Sequence, residues 1–216
     1  MLNENLSEFI GALIGDGCLS KYWSNYDNRW KYVVAFTGFW DTDHRYYEDV
    51  IRPIATKEFG LKGYLYHRKD DDTVRFFISS RKVFLTLKSF GIPVGEKNQI
   101  SISKELKSEN FAKAFIRGVF NTDGSVYRRY GRKYIGHSRH YKNYAVVQFK
   151  MKNRNVVEFV KKSLDGIGIK TTKVGRVADK YWVTRITTQA SVERFFKDLE
   201  INHINHLNRY REIVSS

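Results

Sequence analysis

A nine-residue pattern recurs half a chain length apart, and this repeat limits the fold more than any other feature. Residues 9–17 read FIGALIGDG and residues 116–124 read IRGVFNTDG. Gly11, Gly15, Asp16 and Gly17 therefore correspond to Gly118, Thr122, Asp123 and Gly124, in a chain of 216 residues. Three further pairs recur in the same order: Phe59-Gly60-Leu61-Lys62 with Ile167-Gly168-Ile169-Lys170, Phe90-Gly91-Ile92 with Leu199-Glu200-Ile201, and VVAF at 33–36 with VVQF at 146–149. An ordered repeat of this kind specifies two units of like architecture. The halves are 1–104 and 105–216, and no Gly/Ser-rich linker divides them.

Within each half the hydrophobic periods read helix, two strands, helix, two strands, helix. In the first half the motif helix is expected over 7–15 with Ser7 as its N-cap. Strands follow at 18–23 and 32–39, a helix at 43–59, strands at 63–69 and 73–79 around a solvated turn at Asp70-Asp71-Asp72, and a helix at 80–90. In the second half the motif helix is expected over 111–122, strands over 125–134, 144–151, 171–177 and 181–187, and helices over 154–165, 189–198 and 205–214. Alternation sets the faces of the strands. Ala145, Val147, Phe149 and Met151 point to a core while Tyr144, Gln148, Lys150 and Lys152 point out; Val74, Phe76 and Ile78 point in while Thr73, Arg75 and Ser79 point out.

The net charge is +15 and the pI is near 9.8. Such an excess favours a polyanion as partner. A basic surface kept only for solubility, or an anionic membrane surface, are the other readings, but no basic helix with one broad apolar face supports the membrane. Cys18 is the only cysteine, which excludes an internal disulfide, and there is no Cys/His zinc pattern. The opening residues are unlike a signal or transit peptide and no apolar run approaches a membrane span, so a soluble intracellular protein is expected.

Gly11 and Gly15 lie four apart, on one helix face, and Gly118 and Thr122 repeat the spacing. Small residues there let helix backbones approach closely, so these four residues are the candidate helix interface. Gly17 and Gly124 suit a helix end. Asp16 and Asp123 then stand at helix C-termini, where the dipole disfavours an anion. Two such anions brought together call for a cation, and Mg²⁺ accepts one or two carboxylates plus water and phosphate.

Both nonapeptides resemble the signature of the LAGLIDADG homing endonucleases, and with two copies the resemblance covers essentially the whole chain. It implies an α+β fold of pseudo-twofold duplicated αββαββα half-domains whose antiparallel sheets form a DNA-binding saddle. It implies a monomer that cuts both strands of a long asymmetric double-stranded DNA target and leaves short 3′ overhangs. Mg²⁺ or Mn²⁺ would serve catalysis, with Ca²⁺ as a non-cleaving substitute. Asp16 and Asp123, with Gly15 and Thr122, are the candidate metal ligands. The sixth motif position, often acidic in the family, is Ile14 in one copy and Asn121 in the other.

The family also sets basic or amide groups around its site. One such position falls at Lys97 within FGIPVGEKN, and the repeat carries it onto His206. Another falls at Lys152, opposite Phe39 in the first half. Phe39 cannot polarise water or phosphate, so unequal cutting of the two strands is expected.

Candidate DNA contacts in the first half are Lys21, Arg29, Lys31, Arg68 and Arg75. In the second they are Arg128, Arg129, Arg132, Lys133, Arg139 and Lys142 in a basic, tyrosine-rich loop, then Gln148, Lys150, Lys173, Arg176 and Arg185. An RNA maturase acting on the host intron RNA, or a non-cleaving DNA-binding protein of the same fold, is the alternative. Because both aspartates are present, the nuclease is the favoured expectation. No partner splice residues stand at the ends, which favours a free-standing intron-encoded enzyme over an intein.

Overall fold

The computed structural model describes residues 2–97, 100–129, 132–134, 137–139 and 143–215, with 132–134 and 137–139 described by backbone alone. Two compact units are present, Met1–Thr122 and Asp123–Ser216. The second motif helix thus lies with the first unit up to Thr122.

The first unit opens with α1 (Glu4–Gly15), capped by Asn3, whose side-chain oxygen accepts the Leu6 N–H at 2.8 Å. Ser7, the expected cap, lies inside the helix and donates to the Asn3 carbonyl. Asn3 also donates to Glu58 at 2.8 Å, which ties the cap to the rest of the unit. β1 (Gly17–Ser24) and β2 (Arg29–Phe39) follow as an antiparallel pair. The next helical run starts earlier than its pattern suggests because the Asp43 carboxylate takes the Phe39 N–H at 2.8 Å. It comprises α2 (Trp40–Tyr46), a wide π turn over Tyr47–Ile51 and α3 (Arg52–Phe59). Pro53 stands just after the wide turn and has no N–H to give to the preceding turn, which accounts for the irregularity. β3 (Tyr64–Arg68), β4 (Thr73–Ser79) and α4 (Arg81–Ser89) complete the repeat. A single 3-10 turn, Lys104–Lys107, precedes α5 (Glu109–Asp123).

The four strands form an antiparallel sheet in the order β1-β2-β4-β3. Its core face buries Phe36 and Phe76 against Phe9 of α1 and Tyr47; the Phe9 and Phe36 rings meet edge-on at 5.0 Å. Aromatic burial of this kind is the main source of stability in so small a unit.

The second unit holds a matching sheet, β5-β8-β10-β9, built from β5 (Gly124–Arg128), β8 (Ala145–Met151), β9 (Gly175–Val177) and β10 (Tyr181–Ile186). Its helices are α6 (Arg154–Gly166), α7 (Gln189–Asp198) and α8 (Ile204–Val214). The α+β expectation of two antiparallel sheets with helices therefore holds, and two strands are shorter than their pattern. The strand expected over 125–134 ends at Arg128, and Arg132–Tyr134 (β6) pairs instead with His137–Arg139 (β7). The strand expected over 171–177 is regular only from Gly175. Before it, the Thr172 hydroxyl accepts the Arg185 N–H and the Thr184 hydroxyl donates to the Thr172 carbonyl, so side chains replace part of the ladder.

The repeat seen in sequence is also a repeat in geometry. Gly17 pairs with Phe36 across β1 and β2, and Gly124 pairs with Phe149 across β5 and β8. Gly60 and Gly168 both end a helix in the left-handed region, at φ 68° and 78°. Gly91 and Glu200 share that conformation, at 88° and 51°, although only one of them is glycine.

Candidate active site and nucleic-acid surface

α1 and α5 pack through their small residues. A Cβ added to Gly11 would strike the Phe115 carbonyl and stand 3.1 Å from the Val119 nitrogen. One added to Gly118 would strike the Glu8 carbonyl and stand 2.7 Å from the Ala12 nitrogen. Each glycine thus faces the residue three before the other and the residue one after it. Gly15 is buried, and the Thr122 hydroxyl bonds back to the Gly118 carbonyl at 2.9 Å. Beside this crossing the buried Glu8 carboxylate is held by Arg117 at 2.7 Å and receives the Tyr46 hydroxyl at 3.5 Å. Sequence reasoning missed this cluster, since Glu8 reads as a polar residue near the N-terminus; its spacing of three before Gly11 was the available signal.

At the other end of α1, Asp16 is the C-cap and is half-buried. Its Oδ2 accepts the Tyr47 hydroxyl at 3.1 Å and its backbone carbonyl accepts the Thr37 N–H at 3.3 Å. Tyr47 is fully buried, and burial, then the Asp16 and Asp43 charges, push its phenol far above the ordinary range, so it stays a neutral donor. Lys97 reaches α1 from the loop after α4. Its ammonium donates to the Ile14 carbonyl at 2.7 Å and to the Gly15 carbonyl. A lysine seated on the last carbonyls of a helix complements the dipole.

In the second repeat Asp123 is the last residue of α5 and Gly124 begins β5, while in the first Asp16 caps α1 and Gly17 begins β1. Among the described residues no three His, Cys, Asp or Glu side chains gather at metal-ligand spacing. The donor set at the end of α1 is instead one carboxylate plus helix-end carbonyls, of which those of Ile14 and Gly15 already receive the Lys97 ammonium. A Mg²⁺ ion that keeps most of its ligands as water and phosphate fits such a set.

Lys152 is exposed, one residue beyond β8 and just ahead of Asn153, the N-cap of α6. Phe39, at the matching end of β2, is exposed by 66%. His206 is half-buried on α8, its ring 4.8 Å from that of His203.

Strand register sorts the remaining candidates by face. In the first sheet Lys31, Thr37 and Phe39 of β2, Arg75 and Phe77 of β4 and Tyr64, Tyr66 and Arg68 of β3 share the face opposite the core. Arg29 has the same parity as Lys31. Lys31 is paired with Asp27 at 2.7 Å, and Arg68 is paired with Asp70 and Asp71 in the turn. Lys21 has the other parity, and its ammonium sits 4.5 Å over the Trp30 ring. In the second sheet Ser125, Tyr127, Gln148, Lys150 and Arg185 share the outer face. Gln148 accepts Arg185 Nε at 2.8 Å and the Tyr127 hydroxyl at 3.4 Å, so these three form a fixed polar row. Lys150 lies 4.7 Å over the Tyr181 ring. Arg176 pairs with Trp182 and Arg128 with Ala145, both on the other parity. Lys173 is exposed outside any strand, and Arg129 follows β5, its N–H donating to the Tyr144 carbonyl. Arg132, Lys133 and Arg139 lie in the β6–β7 pair, and Lys142 lies outside the described residues.

Residues 110–200 match the LAGLIDADG-like domain family. No curated protein sequence matches the chain. Among solved structures the fold resembles that of mesophilic variants of the homing endonuclease I-DmoI, with a TM-score of 0.63 and 19% identity over 94% of this chain and 98% of that one. It resembles the LAGLIDADG meganuclease I-AabMI bound to uncleaved DNA, with a TM-score of 0.63 and 11% identity over 99% and 91%. It also resembles full-length DUF199/WhiA from Thermatoga maritima, with a TM-score of 0.58 and 13% identity over 98% of this chain and 60% of that one. I-DmoI has been solved with DNA and Ca and with DNA and Mn. Residues 110–200 thus match the LAGLIDADG-like domain family, and the chain along its length shares the fold seen in the homing endonucleases I-DmoI and I-AabMI.

Proposed function

We propose that this chain is a site-specific, double-strand DNA endonuclease, an intron-encoded homing enzyme that acts inside the cell as a monomer built from repeats 1–104 and 105–216. Asp16 and Asp123 are its metal-holding carboxylates, with the Gly15 and Thr122 carbonyls beside them. The observation that carries this reading is the shared setting of the two aspartates: each closes a motif helix and precedes a glycine paired with a phenylalanine of the second strand, Phe36 or Phe149. Two such equivalent carboxylates suit a nuclease with one metal-assisted site for each strand.

Bound Mg²⁺ or Mn²⁺ would activate water and stabilise the leaving oxygen. Lys97 and Lys152 supply positive charge near the reacting phosphate, with His206 in the place of Lys97 in the second repeat. The outer sheet faces, with Arg75, Gln148, Lys150 and Arg185, grip and read the major groove. The structures of I-DmoI with DNA and with Ca or Mn support the choice of partner and cation.

The test is incubation of the protein with a randomised duplex library and Mg²⁺, followed by sequencing of cut ends. A single long cut site with short 3′ overhangs is expected. Asp16→Asn and Asp123→Asn should each abolish cutting while retaining DNA binding. Binding of host intron RNA with no cleavage of any duplex would favour the maturase instead.

A further inference from the structure

The helical run after β2 does more than cover the sheet. Tyr47 is the first residue of its wide π turn and is completely buried. Its ring lies 5.9 Å from Phe36 and 6.2 Å from Tyr46, which fixes its direction, and its hydroxyl meets Asp16 Oδ2 at 3.1 Å. A neutral donor on one oxygen sets the plane of a carboxylate and favours its ionised form. Groups that orient metal-binding side chains in this way govern metal affinity nearly as strongly as the ligands do. The helix in the matching place of the second repeat, Arg154–Gly166, contains no tyrosine.

We propose that Tyr47 is a positioning residue whose hydroxyl orients the Asp16 carboxylate for a divalent cation. This rests on the reading of Asp16 as a metal-holding group. Tyr47→Phe keeps the ring and removes only the donor.

The experiment is a Mn²⁺ titration followed by electron paramagnetic resonance of the free ion, with random-sequence duplex DNA present, on the whole protein, Tyr47→Phe and Asp16→Asn. Thermal unfolding is recorded in parallel. Asp16→Asn should lose one Mn²⁺ site. Tyr47→Phe should weaken that site about tenfold while its melting temperature stays within a few degrees of the parent's. If Asp16→Asn loses the site and Tyr47→Phe titrates like the parent, Tyr47 has no positioning role and the metal assignment stands. If Asp16→Asn also titrates like the parent, both ideas fail. A merely structural role would lower the melting temperature of Tyr47→Phe without moving the Mn²⁺ curve, and would likewise overturn the proposal.

Discussion

Gly11 and Gly118 stand in a reciprocal contact: each faces the backbone of the other's helix at the residue three positions before the other glycine, Phe115 in one case and Glu8 in the other. Two pressures oppose each other at these sites. In an exposed helix, alanine in place of glycine would stabilise by about 1 kcal/mol. Here the added methyl collides with backbone that cannot rotate away, and overpacking costs about 1–3 kcal/mol or more. Gly11→Ala and Gly118→Ala should therefore each lower stability in chemical denaturation. Unchanged or raised denaturation midpoints would show that the helices are not in close contact.

The Glu8–Arg117 pair is nearly shut off from water. Removing one partner of a buried pair leaves an uncompensated charge and costs about 3–5 kcal/mol. Arg117→Ala should show that loss in urea unfolding, whereas replacing both residues with apolar ones of similar volume should restore most of it. A loss below about 1 kcal/mol for Arg117→Ala would mean the pair is solvated.

Lys97 and Lys152 are expected to differ in kind. Lys97 closes the end of α1, so Lys97→Ala should lower the melting temperature as well as slow cutting. Lys152 is exposed, so Lys152→Ala should slow cutting with a stability change within about 0.5 kcal/mol. Because Phe39 stands in the matching place of the first repeat, the two strands of a supercoiled target should be nicked at different rates. Equal rates would remove the functional meaning of the difference between Phe39 and Lys152.

Register separates cations on the proposed DNA face of the sheets from those on the other face. Arg75→Ala and Arg185→Ala should each lower the slope of log affinity against log salt by about one. Lys21→Ala and Arg176→Ala should leave that slope unchanged, because both side chains belong to the other face and lie over the Trp30 and Trp182 rings. A loss of slope in the second pair would assign the DNA to the wrong side of the sheets.

Much of this architecture was legible because the repeat and the strand alternation are strong signals. The matched segments VVAF and VVQF carry the equivalent Gly17–Phe36 and Gly124–Phe149 registers, and the matched Gly91 and Glu200 are both left-handed, although a glutamate in that place gave no sign of it. Side-chain hydrogen bonds were harder to read. Asn3 rather than Ser7 caps α1 because Glu58, distant in sequence, holds it. Thr172, ahead of β9, and Thr184 of β10 bond through their hydroxyls where further ladder bonds would have lengthened β9. Lys21 and Arg176 read as outward cations on charge alone, but a one-residue difference in parity turns them over. Tyr47 carried no sequence signal at all, since its bond to Asp16 depends on a π turn beside Pro53.

The division between compact units falls at Thr122, well past the repeat boundary, so each repeat borrows structure from the other. A fragment ending at residue 104 would leave Glu8 without Arg117 and the Gly11 face of α1 open to water. Swapping halves between relatives would therefore succeed only when α1 and α5 are exchanged as a matched pair, so that the two repeats can diverge only as far as that shared helix crossing allows.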